Sequence, residues 1–306
     1  MYKYSAKVEV VDTVDVCTDF MFQVVLKEDM PFKINDCYFI VKKNHDYTFK
    51  ESDYLMVKYY SQNKNLSGAK DKIKRAIELF VYMTDIPFDV NSVVIESAEN
   101  DIPTINVQLS QRKMKQILEI NQKYSRVRKK KGLLQSVLQM YAVATKENYL
   151  LNENKEDAFF AFFKIIEIIV KDDFSIEKAN IDKGTSYTRK YVEQILTNAY
   201  GVSTQENRLD DLCGNVGSAL FEMVFENIYH KIMWFLKRHN IEGDKDIISN
   251  IVSLRNDIAH GEVVLMNNYM QEYEYVMKLA DKVIEAKFFG KSMKIECRQK
   301  LIGLNE

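Results

Sequence analysis

The string Ser253-Leu254-Arg255-Asn256-Asp257-Ile258-Ala259-His260-Gly261 gathers side chains that can do chemistry. Arg255 is a permanent cation whose planar fork of donors matches a phosphate. His260 is one of four histidines, and an imidazole with an ordinary pKa of about 6.5 suits proton transfer near neutrality. Asn256 can donate and accept, so it can orient either neighbour. On an ideal helix of ~100° per residue, Arg255 and His260 stand ~140° apart. They converge only if the helix ends between them, for which Gly261 is suited, or if two copies meet across a dimer axis. The plainer reading pairs Arg255 with Asp257 or a neighbouring acid and sets His260 as the cap of a helix C-terminus.

Glu167 lies in the strongly apolar run Phe159-Phe160-Ala161-Phe162-Phe163-Lys164-Ile165-Ile166-Glu167-Ile168-Ile169-Val170. An unpaired carboxylate is costly to bury there. Either it pairs with Lys164 at i,i+3 spacing, or it reaches Arg255 or His260 and holds that side chain in place. Asp257 has the same two options, a supporting contact or solvent. Residues 111–131 hold nine Lys or Arg and one acid, Glu119, a local +8 that leaves −9 for the rest of the chain. Arg126, Arg128, Lys129, Lys130 and Lys131 form the densest part. Such a stripe is either a solvated surface or a phosphate-binding one, with Tyr124 placed to stack on a base. His45, His230 and His239 lack ligand spacing, and no Cys/His or paired-carboxylate cluster suggests a metal.

The elements that would position these groups follow from a change of texture along the chain. All three prolines, Pro31, Pro87 and Pro103, fall in the first third, and a proline-free remainder permits long helices. Before residue 110, short aromatic and β-branched runs read as strands: Tyr2 to Val11, Phe20 to Leu26, Cys37 to Lys42, Tyr54 to Tyr60, Val93 to Ser97 and Ile105 to Leu109. One helix opens at Gly68 and stops at Asp85-Ile86-Pro87. After residue 111 the period is helical. Residues 157–171 predict a central buried helix. Ser203 with Glu206 opens a long helix whose buried stripe runs Leu209, Leu212, Val216, Leu220, Met223, Ile228, Ile232 and Phe235, with Gly214 and Gly217 able to kink it. Asp244 is the predicted N-cap of the helix leading to His260, with Gly261 as its C′ residue. Helices near 111–146 and 268–288 complete the set. The expectation is an α+β domain over residues 1–110, followed by an all-α helical bundle over 111–306 with 111–131 as a basic lead-in.

A chain of 306 residues with 46% hydrophobic and 28% charged residues has the composition of an ordinary globular protein. Its net charge of −1 excludes a surface that is basic throughout. The opening MYKYSAKVEVVDTVDV lacks an apolar h-region, and no stretch reaches the ~18 apolar residues of a membrane span. Cys17, Cys37, Cys213 and Cys297 are far apart and form no CxxC pair, so a reduced, cytoplasmic compartment is expected.

The string around Arg255 resembles the RNxxxH signature of the HEPN superfamily. The fuller Leu-Arg-Asn-Asp-Ile-Ala-His-Gly is similar to the version in ApeA-like HEPN domains, as is an earlier apolar helix with an embedded acid, here Glu167. The resemblance spans roughly 155–290; residues 1–110 resemble no family and could sense a trigger or select a target. It implies a helical bundle that forms a homodimer, with Arg255 and His260 of both copies facing one cleft. It further implies a metal-independent endoribonuclease without a cofactor, of the kind found in toxin–antitoxin and antiphage abortive-infection systems. RNA would be the substrate, and an antitoxin or trigger molecule a further partner. In that mechanism the substrate 2′-hydroxyl attacks the adjacent phosphorus, His260 moves the proton, Arg255 stabilises the phosphoryl charge and Asn256 fixes one of them. A non-catalytic dimeric binding module and a plain nucleic-acid binder are the alternatives.

Overall fold

A computed structural model describes residues 2–9, 32–42, 54–90, 93–99, 111–149, 155–181, 225–290 and 292–294, with isolated positions between 193 and 223. The chain forms two compact units, residues 1–162 with 288–306, and residues 163–287. The division between these units falls inside a helix, between residues 162 and 163. Texture marks where the strands stop, whereas compactness groups the next two helices with the sheet.

In the first unit five antiparallel strands, β1 (Tyr2–Glu9), β2 (Phe32–Ile34), β3 (Cys37–Lys42), β4 (Tyr54–Ser61) and β5 (Val94–Glu99), form one sheet in the order β2-β3-β4-β1-β5. Alternation with period two buries Tyr4, Ala6 and Val8 of β1, Phe32 and Ile34 of β2, Phe39 of β3 and Leu55 and Val57 of β4 on one face. Helix α1 (Leu66–Thr84) lies against that face and packs on its other side against α3 (Lys131–Tyr149). Phe32, Phe39, Phe80 and Phe88 join strand and helix through ring contacts of 5.2–5.8 Å. Asn65 starts α1, its side chain accepting from the Gly68 amide, and Asp85 ends it with φ of +55°. The helix thus starts at Leu66, two residues before Gly68, and the stop is where the sequence predicts.

Strand β2 escaped the sequence reading. It pairs with β3 through a two-residue turn in which Asn35 and Asp36 both have positive φ, the backbone of a tight hairpin turn. The Asn121 side chain on α2 (Gln111–Arg126) grips this turn, accepting from the Asn35 amide at 2.8 Å and donating to the Lys33 carbonyl at 2.9 Å. The predicted strands at 20–26 and 105–109 lie outside the described residues. Near the C-terminus, Lys294 donates to Asp85 and to the Tyr141 hydroxyl at 2.6 Å each.

The second unit comprises α4 (Lys155–Ile181) from Phe163 onward, α5 (Ile228–Arg238), α6 (Lys245–Ala259), which packs against α5 and α7, and α7 (Met270–Ile284), entered by a 3₁₀ turn at Met266–Tyr269 and followed by a π turn that starts at Glu285. The apolar run of α4 is buried, as predicted, at Phe163, Ile165, Ile166, Ile169, Val170 and Phe174. The long helix predicted through Phe235 is broken. Phe225–Asn227 leave helical geometry and the Asn227 side chain caps α5 by accepting from the His230 amide. Val216 and Met223, predicted in the buried stripe, are exposed at 39% and 74%; the Ser203 cap, Leu209, Leu220, Gly214 and Gly217 lie outside the described residues. Among the described residues no helix is long and apolar enough to cross a membrane. The sheet-bearing unit followed by a mostly helical region is the α+β-then-helical architecture expected.

Candidate functional site

Helix α6 is delimited by two local signals present in the sequence. Asp244 accepts from the Asp246 and Ile247 amides at 2.9 and 3.1 Å, satisfying donors that a helix start leaves orphaned. At the other end Gly261 has φ of +82°. Its amide bonds the Ile258 carbonyl and the Glu262 amide bonds the Asp257 carbonyl, both at 3.0 Å, the paired bonds of a Schellman motif. Ile248, Ile251 and Leu254 bury one side of the helix, which fixes the direction in which Arg255 leaves it.

Arg255 extends over the Phe163 ring, 5.7 Å from its centroid, to the carboxylate of Glu167. Its Nη2 lies 3.4 Å from both Glu167 oxygens, and its Nη1 donates to Asn256 Oδ1 at 3.1 Å. Glu167 is 4% exposed. Glu167 meets the lysine as well as the arginine: Lys164 also donates to it at 3.1 Å and Lys171 at 2.7 Å. Burial pushes the Glu167 carboxyl up, but the hydrogen bonds and charges of Lys171 and Lys164 outweigh it and hold the group below its ordinary value. The distances rank the partners. The two lysines hold the carboxylate at true hydrogen-bonding range, and Arg255 is the loosest of the three cations.

Lys171 was missed in the sequence, although its i,i+4 spacing from Glu167 is the signal that finds it. One carboxylate against three cations leaves this cluster with a surplus of two positive charges. Lys164 and Lys171 keep 42% and 54% of their side chains exposed, so the surplus faces solvent.

His260 is the C-cap residue, with φ of −86° and ψ of 2°, its amide bonding the Asn256 and Asp257 carbonyls. The last helical residue is Ala259, so the helix ends just before His260. His260 is exposed, and among the described residues no hydrogen bond or ion pair joins it to Arg255. Side-chain hydrogen bonds join Arg255 to Asn256 and Glu167, whereas His260 meets Asn256 only through the backbone. Asp257 is half-buried; its carbonyl closes the helix end.

The basic segment belongs to the first unit. Arg126 ends α2, Lys131 begins α3, and Arg126, Arg128, Lys129 and Lys131 are exposed while Lys130 is half-buried. Tyr124 does not present its ring at the surface, where a base could stack. It is 2% exposed and lies beneath the Lys131 ammonium, 5.7 Å from its ring, because it falls on the inward side of α2 with Ile117 and Ile120. Among the described residues no three His, Cys, Asp or Glu side chains cluster as metal ligands. His239 pairs with Asp173, Nε2 to Oδ2 at 2.7 Å, beside a buried Lys287 that also binds Asp173 and Asp172. Comparison of the chain with protein-family models, with curated proteins and with solved structures finds no match in any of the three.

Proposed function

We propose that the chain is a metal-independent endoribonuclease of the HEPN type, acting as a homodimer. The observation that carries this reading is the Glu167 cluster: three cations on one buried carboxylate, with the signature arginine the farthest of the three from its oxygens. A phosphodiester can draw Arg255 away while Lys164 and Lys171 keep Glu167 paired, so no buried charge is stranded when substrate binds. In the reaction the 2′-oxygen bonds to phosphorus and the P–O5′ bond breaks, giving a 2′,3′-cyclic phosphate and a 5′-hydroxyl. One His260 accepts the 2′-hydroxyl proton, and a second His260 returns a proton to the departing 5′-oxygen. Arg255 neutralises charge developing on the phosphoryl oxygens, and Asn256 orients Arg255. The homodimer follows from the resemblance, in which Arg255 and His260 of both copies face one cleft. By the resemblance, such an enzyme serves as a toxin or in abortive infection.

The test is cleavage of a mixed RNA pool in EDTA by the wild type, His260→Ala and Arg255→Ala. The wild type is expected to cut and both variants to fall by ~10²-fold or more. Equal cleavage by all three proteins refutes the assignment. A dimer that binds RNA without cutting it selects the binding module instead.

A further inference from the structure

The face of the sheet turned away from α1 carries an unusual set of side chains. Cross-strand register places Lys33, Tyr38, Lys58 and Ser5 in one row and Ile40, Met56, Lys7 and Val94 in the next. Tyr54 stands opposite Glu9, and Tyr60 opposite Lys3. These residues are half-buried or exposed, Val94 at 74%. Between β4, β1 and β5 they frame a hollow of about 550 Å³, lined by Lys7, Tyr54, Met56, Val94 and Glu96 among others.

Each of the three tyrosines has a lysine beside it. Lys7 lies 4.8 Å from the centre of the Tyr54 ring and Lys33 5.5 Å from that of Tyr38. Lys58 is the other cross-strand neighbour of Tyr38, and Lys3 that of Tyr60. Tyr38 and Tyr60 meet edge to face at 5.8 Å. Tyr54 and Tyr60, six residues apart on β4, are separated by ~20 Å along the strand. A solvated sheet face has no need of three tyrosines with Ile40, Met56 and Val94. A face that buries itself against another sheet would exclude four lysines. Flat aromatic rings interleaved with cations over this span complement a ligand with alternating planar rings and negative charges.

We propose that this sheet face binds single-stranded RNA, bases stacking on Tyr38, Tyr54 and Tyr60 and phosphates meeting Lys3, Lys7, Lys33 and Lys58. The charge complementarity is net: among the residues whose side chains are described, Lys3, Lys7, Lys33 and Lys58 stand against Glu96, Glu9, which pairs with Lys7 at 2.5 Å, and Asp36, which pairs with Lys33 at 3.7 Å. The choice of RNA among polynucleotides rests on the ribonuclease reading; the binding itself stands on the sheet.

The experiment is fluorescence anisotropy of a short labelled oligouridylate with the full chain carrying His260→Ala, so that binding is read without cutting. Tyr38→Ala, Tyr54→Ala and Tyr60→Ala are each expected to weaken binding by ~5- to 150-fold, and Tyr→Phe at the same positions to restore it, which separates stacking from misfolding. Lys33→Gln with Lys58→Gln is expected to lower the slope of log affinity against log salt by ~1.4. Affinity unchanged by the alanines overturns the proposal. So does equal affinity for duplex RNA, loss of binding only on neutralising Arg128, Lys129 and Lys131, or no binding at all. Cleavage by the wild type in EDTA is scored separately, so failure of the sheet to bind and failure of the ribonuclease reading give different patterns.

Discussion

Replacing Glu78 with glutamine should stabilise the protein, and should do so only when the solution is not acidic. Glu78 lies in the buried half of α1 and is 4% exposed. Burial pushes its carboxyl from an ordinary 4.5 up to about 7, with Lys74 and Arg75 offsetting part of the rise. A folded-state pKa above the unfolded one means that the native protein binds the proton more tightly. Stability then falls as pH rises from about 4.5 to about 7 and levels off above. Over a shift of ~2.5 units, at 1.36 kcal/mol each, the ionised side chain costs about 3 kcal/mol at pH 8. Linkage leaves about 0.4 kcal/mol of that cost at pH 4.5. Glutamine keeps the shape and cannot ionise. Thermal melts of wild type and Glu78→Gln should therefore differ by ~6–12 °C at pH 8 in favour of the variant, and nearly coincide at pH 4.5. A variant that is less stable at pH 8, or equally shifted at both values, would refute the reasoning, since the first means that Glu78 is ionised and favourably paired when folded and the second that its ionisation plays no part.

Glu167 should behave in the opposite sense. Its carboxyl is held below the ordinary value, so its stabilisation is full above about pH 4.5 and is lost as pH falls through the lower folded value. Glu167→Gln should cost about 1–2 kcal/mol at pH 7, discounted for the exposed lysines, with the gap to wild type closing in acid denaturation curves. Gly261→Ala should cost about 1 kcal/mol, read by urea denaturation. No atom lies within 4 Å of the added Cβ, so the whole effect is the positive φ. Lys287 is 1% exposed beside Asp173; Lys287→Met should cost about 3–5 kcal/mol by leaving a buried carboxylate short of its cation, and adding Asp173→Asn should recover part of that in a double-mutant cycle.

Helix α6 was legible nearly to the residue, because Asp244 and Gly261 are local signals that act through the backbone itself. Helix α4 was legible over its continuous apolar run, 157–171, but it extends to Ile181, past the end of that run. Glu167 was legible as an anomaly, a carboxylate among phenylalanines and isoleucines, but its partners were not. Arg255 arrives from 88 positions away, and no local spacing encodes such an encounter. The break before α5 was readable in principle from Asn227, a strong capping residue; an apolar stripe that continued past it masked the signal. Strand β2 is three residues long, too short for period two to show, and its turn of Asn35 and Asp36 lacks the glycine that usually marks such a hairpin. Tyr124 reads as a surface aromatic because lysines and arginines surround it in sequence, whereas on the helix its neighbours are Ile117 and Ile120.

The closed end of α6 also decides how a phosphate can be held beside His260. The amides of residues 260, 261 and 262 are each bonded to carbonyls of the same helix, so this end offers an anion no main-chain donors, the reverse of what a helix N-terminus provides. Any negative charge that develops there must be met by side chains. A backbone cradle is beyond the reach of substitution, but a side-chain one is not. If RNA is cut at this helix end, its charge stabilisation is wholly open to dissection by single replacements, and exogenous guanidinium should be able to stand in for a deleted Arg255.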